Sequence, residues 1–262
     1  MFSWQEDIYY YQFESLINRP VFHAVLTRRG GYSQSPYNSL NLGGTVGDDN
    51  DAVFANHQKI FQLFNLDLYS RFDVWQVHGS KVICAKSPRD LNKPHKKADG
   101  ILTDNPSVTL LMRFADCVPI LLFDPKKMVI GIVHAGWQGT YKDVVGEAIR
   151  DLQKCYGSDP GDVLAGIGPS ICQQCYEVGF DVFQTFTKYY GPEATQFFDQ
   201  KGQSLYLNLW EANRYNLMRA GVSQIEVSKV CTSCNPEFWY SHRAENGITG
   251  RFGVLMKLMP NY

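Results

Sequence analysis

Between residues 72 and 134, short apolar runs follow one another, and Pro, Gly, Asp or Asn break most of them. The runs cover 72–77, 81–85, 100–103, 108–114, 118–123 and 129–133. Runs of this length with this punctuation predict strands. Several are apolar throughout instead of alternating, so the sheet they form is expected to be covered on both faces. Strands are also predicted over 21–28, 163–167, 225–230 and 252–258. Helical spacing appears elsewhere. Apolar side chains recur at helical intervals over 52–64, after the N-cap candidates in 48–51. Thr140 is expected to cap a helix in which Val144, Val145, Ala148, Ile149 and Leu152 share one face. Two more helices are predicted over 179–190 and 209–220, with Gly221 as a stop.

Strands and helices are mixed along the chain, which gives an α/β or α+β class. No linker, repeat or low-complexity segment divides it, so residues 1–262 are expected to form one domain. One long stretch has no periodicity: Gly30-Gly31-Tyr-Ser-Gln-Ser-Pro36-Tyr-Asn-Ser-Leu-Asn41-Leu-Gly43-Gly44. A loop of this length inside a domain is usually functional or disordered, and its aromatics and leucines argue against disorder.

Composition changes the picture little. The chain has 262 residues, 44% hydrophobic and 19% charged, enough for a sizeable core. A formal net charge of -1 gives no reason to expect nucleic acid or an anionic membrane as partner. No run is long enough to span a bilayer, and Met1-Phe-Ser-Trp-Gln-Glu-Asp lacks the features of a secretory signal. Seven cysteines make an odd set, without the spacing of a small disulfide scaffold. Reduced thiols in a cytoplasm are therefore the expectation.

The candidate chemistry sits where strands end. Gln76-Val-His78-Gly79, Ala115-Asp-Cys117-Val-Pro119 and Ile130-Gly-Ile-Val-His134-Ala-Gly each place one metal-binding side chain at a turn. Two imidazoles and one thiolate with a fourth position open form a catalytic zinc set. The alternative is packing: a histidine satisfied at a strand end, a cysteine buried as a small hydrophobe. Trp137-Gln-Gly-Thr140 opens a helix whose free N–H groups suit an anion. Arg243, beside His242 in an aromatic segment, could pair with phosphate or carboxylate, and a plain surface role is the alternative. His57 is expected on a helix and His95 in a solvated Lys-rich loop. Cys172-Gln-Gln-Cys175 and Cys231-Thr-Ser-Cys234 are two C-x-x-C pairs. Their separation exceeds that of common zinc ribbons, so unligated thiols are preferred to a structural tetrathiolate zinc. Dinucleotide, P-loop, H-E-x-x-H and H-x-E signatures are all missing.

Taken in order, these blocks resemble the laccase-domain, or polyphenol oxidase, family (YfiH-like), whose members are described as purine nucleoside phosphorylases. The resemblance rests on the three blocks above and on Thr27-Arg-Arg-Gly-Gly31, Tyr37-Asn-Ser-Leu-Asn41-Leu-Gly43 and Ala98-Asp-Gly100-Ile-Leu-Thr103. It continues through Gly166-Ile-Gly-Pro169, Tyr176-Glu-Val-Gly179, Ser241-His-Arg243 and Gly250-Arg251. It implies an α/β/β/α layered sandwich and zinc held by His78, Cys117 and His134. It also implies phosphorolysis of adenosine, inosine and S-methyl-5′-thioadenosine, with adenosine deamination as a side activity. On this reading the partners are a purine nucleoside and phosphate, with Asn41 and Arg243 as substrate-binding candidates. Two other chemistries compete: metal-free hydrolysis with Cys117 as nucleophile, and copper-dependent polyphenol oxidation. Copper is thus the alternative ion, but six histidines are too few for a multicopper set. One departure stands out: Gln138 occupies a position where the family pattern has Arg. The general base is left open among Asp99, Asp116 and Glu177.

Overall fold

The computed structural model describes residues 1–259; the last three positions of the expected 1–262 domain lie outside them. Strands and helices are numbered in chain order. The first six-stranded sheet contains β1 (Phe2–Gln5), β2 (Ile8–Tyr11), β3 (Val21–Leu26), β4 (Arg71–Phe72), β7 (Thr109–Phe114) and β15 (Phe252–Leu258), in the order β1-β2-β3-β15-β7-β4. The second contains β5 (Val82–Cys84), β6 (Gly100–Thr103), β8 (Val118–Asp124), β9 (Val129–Ala135), β10 (Leu164–Ile167) and β14 (Gln224–Val227), in the order β14-β10-β8-β9-β6-β5. Both are mixed, with β4–β7, β5–β6 and β10–β14 the parallel pairs. A small third sheet joins β11 (Glu177–Val178), β13 (Ser204–Leu207) and β12 (Phe198–Lys201).

The unbroken apolar runs have a simple cause: β8 and β9 are buried on both faces. Val118, Ile120 and Leu122 of β8 face the helical layer of α3 (Val144–Tyr156), α4 (Phe180–Tyr190) and α5 (Leu209–Arg219). Leu121 and Phe123 face the first sheet, against Leu110, Met112, Phe114, Val254 and Met256. The far side of the first sheet presents Ala24, Leu26, Leu111 and Leu255 to Ile60 and Phe61 of α1 (Asn50–Leu63). The order α1, sheet, sheet, α3–α5 is the expected α/β/β/α sandwich. No helix among the described residues is long and apolar enough to cross a membrane.

Several expectations are corrected. Thr140 does not begin the helix after β9; it lies inside the short α2 (Trp137–Tyr141), and Asp143 caps α3 by accepting from Gly146 N–H. Within the run 72–77 only Phe72 is strand, at the end of β4, with a single further bridge from Trp75 to Lys97. There the chain follows a buried carboxylate. Asp73 accepts from Arg89 Nε (2.6 Å) and from Arg113, and His95 Nε2 lies 3.1 Å away. His95 is therefore partnered, not solvated, and His57 is buried within α1. The hairpins β1–β2 and β12–β13 are additions that the sequence reading does not contain.

The long 30–44 loop is ordered from outside. Asn56 of α1 accepts from Tyr32 N–H (2.8 Å) and donates to Asn41 O (2.9 Å) and Ser33 Oγ (3.0 Å). Leu40 and Leu42 fill the core beneath it.

Candidate active site

The three expected ligands arrive from three separate segments. His78 lies between β4 and β5, Cys117 lies where the chain leaves β7 of one sheet to enter β8 of the other, and His134 lies near the end of β9. Their ligand atoms all fall within 4.8 Å of one another. The imidazoles meet edge to face, with ring centroids 5.0 Å apart. His134 is buried, Cys117 is half-buried and His78 is exposed, so the group opens to solvent on the His78 side.

Asp99, just before β6, organises two of the three. Its carboxylate accepts from the backbone N–H groups of Val77 (3.2 Å), His78 (2.9 Å) and Gly79 (2.7 Å). This holds His78 in a left-handed conformation, φ 57°, which costs an L-residue about 1–2 kcal/mol. The same carboxylate lies 2.9 Å from His134 Nδ1. A carboxylate there sets Nδ1 as the protonated nitrogen and leaves Nε2 as the free donor. Burial alone would raise the Asp99 pKa, but His134 and the backbone N–H groups bring it below the ordinary value. Asp99 is thus a positioning group, fully engaged, and not a free base.

Cys117 follows Asp116, whose φ of 77° turns the chain between the sheets. Asp116 accepts from Thr232 Oγ1 (2.7 Å) and from Arg243 N–H (2.7 Å), which ties residues 232–243 to the turn that carries Cys117. Burial pushes the Cys117 thiol up, but His134 and His78 outweigh it and bring it to about 6. Burial lowers His134, but Cys117 and Asp99 carry it up to about 9. The small residue after Ala135 has a steric reason. A Cβ on Gly136 would stand 2.8 Å from Cys117 Sγ and 3.3 Å from His78 Cδ2.

The other expected residues lie differently. Asn41 is buried; its Oδ1 accepts from Gly43 N–H (2.9 Å) and Arg251 N–H (2.8 Å), and its Nδ2 donates to Asp48 (2.8 Å). That side chain holds the loop to the start of β15. Arg243 is exposed, with its guanidinium 5.1 Å from the centre of the Tyr176 ring. Glu177 is exposed and accepts from Ser204 Oγ (2.6 Å). Gln138 carries no charge, but Lys142 one turn later does. Its Nζ lies 3.4 Å from Gln138 Oε1 and donates to His78 O (3.2 Å). Arg251 is partly buried, and the charges that act on it include Cys117 and Asp116. Lys142 and Arg251 were not singled out as site residues from the sequence; Gly250-Arg251 was visible only as a family block.

Comparison with known proteins places the chain in a family. The family model described as "Multi-copper polyphenol oxidoreductase laccase" matches residues 22–259. The chain belongs to this YfiH-like laccase family. The purine nucleoside phosphorylase YlmD of Bacillus subtilis is 38% identical over 243 residues, covering 89% of this chain and 87% of that protein. The purine nucleoside phosphorylase YfiH of Escherichia coli is 32% identical over 237 residues, covering 89% and 92%. Among solved structures, YlmD from Geobacillus stearothermophilus superposes with a TM-score of 0.91 at 31% identity, covering 98% of each chain.

Two nitrogens and one sulfur with an open side suit a single borderline metal ion such as zinc or copper. Among the described residues the only other group placed to hold a metal contains sulfur alone.

Proposed function

We propose that this chain is a zinc-dependent purine nucleoside phosphorylase. On this reading it cleaves adenosine, inosine and S-methyl-5′-thioadenosine with phosphate, releasing the base and the (methylthio)ribose 1-phosphate. Adenosine deamination is a second, slower outcome at the same centre. The observation that carries the reading is the meeting of His78, Cys117 and His134, oriented by Asp99, in a family whose relatives are named purine nucleoside phosphorylases. When bound, zinc supplies Lewis-acid chemistry and acidifies groups at its open position.

The chain's own residues then have distinct tasks. Asp99 fixes the His134 tautomer and the His78 loop, so the ligands need no rearrangement. In phosphorolysis, phosphate oxygen bonds to C1′ of the ribose as the C1′–N9 bond breaks, and the base leaves with the bonding pair and takes up a proton. Phosphate needs positive charge beside it. Arg243 at the Tyr176 side and Lys142 beside His78 carry the charge that Gln138 lacks. Asn41 contributes by holding Arg251 and the loop in place.

The test follows products. Purified protein given adenosine and phosphate should release adenine and some inosine, with ribose 1-phosphate equal to the adenine plus any hypoxanthine formed from that inosine. Cys117→Ala should abolish both. Undiminished turnover in that variant overturns the assignment.

A second reading has its own support. A thiol lowered to about 6 beside an imidazole raised to about 9 is also the signature of a cysteine nucleophile with its base. Cys117 would attack an amide or ester carbonyl, and His134 would return the proton to the leaving group. Hydrolysis that survives metal removal and is lost on thiol alkylation would select this reading over the first.

A further inference from the structure

Away from the reaction centre, the two C-x-x-C pairs come together. The sulfurs of Cys172, Cys175, Cys231 and Cys234 all lie within 4.8 Å of one another, and all four are unbonded thiols. Cys175 Sγ and Cys234 Sγ are 3.3 Å apart, and Cys172 Sγ and Cys234 Sγ are 4.0 Å apart. Four sulfurs on a tetrahedral ion with zinc–sulfur bonds of about 2.3 Å stand about 3.8 Å from each other. These two separations bracket that value. A polynuclear iron–sulfur cluster would spread its ligands around several irons, and this spacing leaves room for one ion.

The backbone is arranged for thiolates as well. Each pair occupies a tight turn, closed in the first by Cys175 N–H donating to Cys172 O (3.1 Å). In the second, Cys234 N–H donates to Cys231 Sγ (3.4 Å), and Cys172 N–H reaches the same sulfur from across the site (3.2 Å). N–H donors aimed at sulfur favour its charged form. All-sulfur donors exclude magnesium and calcium and suit a soft or borderline ion. We infer that Cys172, Cys175, Cys231 and Cys234 form a second, closed metal site that holds one structural zinc ion.

Its place in the fold gives it a task. Ile171, beside the first turn, donates its N–H to Asp116 O (3.1 Å), and Thr232, within the second, donates to Asp116 Oδ1 (2.7 Å). Asp116 adjoins Cys117. The ion would clamp two loops, distant in sequence, that together form one wall of the reaction centre. This preference for ligation over free thiols reverses the sequence-based expectation. That expectation assumed the ribbon-like spacing of a single motif, whereas here the fold brings two separate turns together.

The site is tested independently of the nucleoside reaction. In the His78→Ala protein the open site is disabled, and elemental analysis should still find about one zinc per chain. Adding Cys175→Ser and Cys234→Ser should remove it, with a fall in thermal midpoint. Should that variant fail to fold, cobalt exchanged into His78→Ala, whose four cysteines are intact, should give the intense sulfur-to-cobalt absorption of a tetrathiolate site. Iron in place of zinc, a disulfide between Cys175 and Cys234 by mass spectrometry, or a metal-free protein with all four thiols freely alkylated overturns the inference.

Discussion

Single residues behind the three candidate ligands hold the site in shape. Asp99 is the clearest. Its carboxylate satisfies three backbone N–H groups and one imidazole N–H, and an amide in its place would turn an NH2 toward one of those donors. Asp99→Asn should weaken zinc binding about 10–100-fold, the usual effect of losing a partner that orients a metal ligand. Isothermal titration of the variant with zinc would read this, and unchanged affinity would count against the role. Gly136→Ala should act from the other side. Its Cβ would press on Cys117 Sγ, so the ligand set should loosen while circular dichroism stays native. A variant with wild-type zinc affinity would show that the sulfur has room to move.

Among the elements, α3 offers a separable test. Its N-cap, Asp143, has φ 58°, accepts from Gly146 N–H (3.1 Å) and lies near Arg150 and Arg219. Asp143→Ala removes the cap and leaves a Cβ-bearing residue in a left-handed conformation without local hydrogen bonding. It should cost about 1–2 kcal/mol in urea denaturation with an unchanged slope; Asp143→Asn should cost much less. This scale also shows what a sequence reveals. Strands buried on both faces, such as β8 and β9, and helices with one apolar stripe, such as α3, were legible because periodicity records burial. The segment after Phe72 was not, because its path follows Asp73 and its arginine partners and not a strand ladder. The hairpin β12–β13 escaped notice because its exposed residues carry no buried stripe. His78, Cys117 and His134 were legible as candidate residues, although only His134 lies in a strand, and His78 follows a segment that is not strand beyond Phe72. That Asp99 would bind both histidine segments was not, since it depends on a register between distant turns.

For the molecule as a whole, burial of neutral histidines predicts acid sensitivity. His57 is held down to about 3, by burial first and then by Arg113 and Arg71. His23 is held at about 4 by burial, and its Nε2 accepts from Phe13 N–H, which requires the neutral ring. Unfolded histidines take up protons near pH 6.5. Their folded pKa is lower, so this stability is complete above pH 6.5 and is lost as pH falls toward 4. The loss should be about 1.4 kcal/mol per histidine for each pH unit in that window. Thermal midpoints should drop between pH 6.5 and 4.5, before most carboxylates titrate, and His57→Gln should flatten part of the slope. A midpoint constant from pH 7 to 5 would refute this.

The most direct test of the central claim is phosphate-dependent release of adenine from adenosine by zinc-stripped protein as zinc is returned. The account predicts that adenine and ribose 1-phosphate rise together, only when both zinc and phosphate are present, and not at all in Cys117→Ala. Full turnover by the stripped protein, or adenine release indifferent to phosphate, would contradict it.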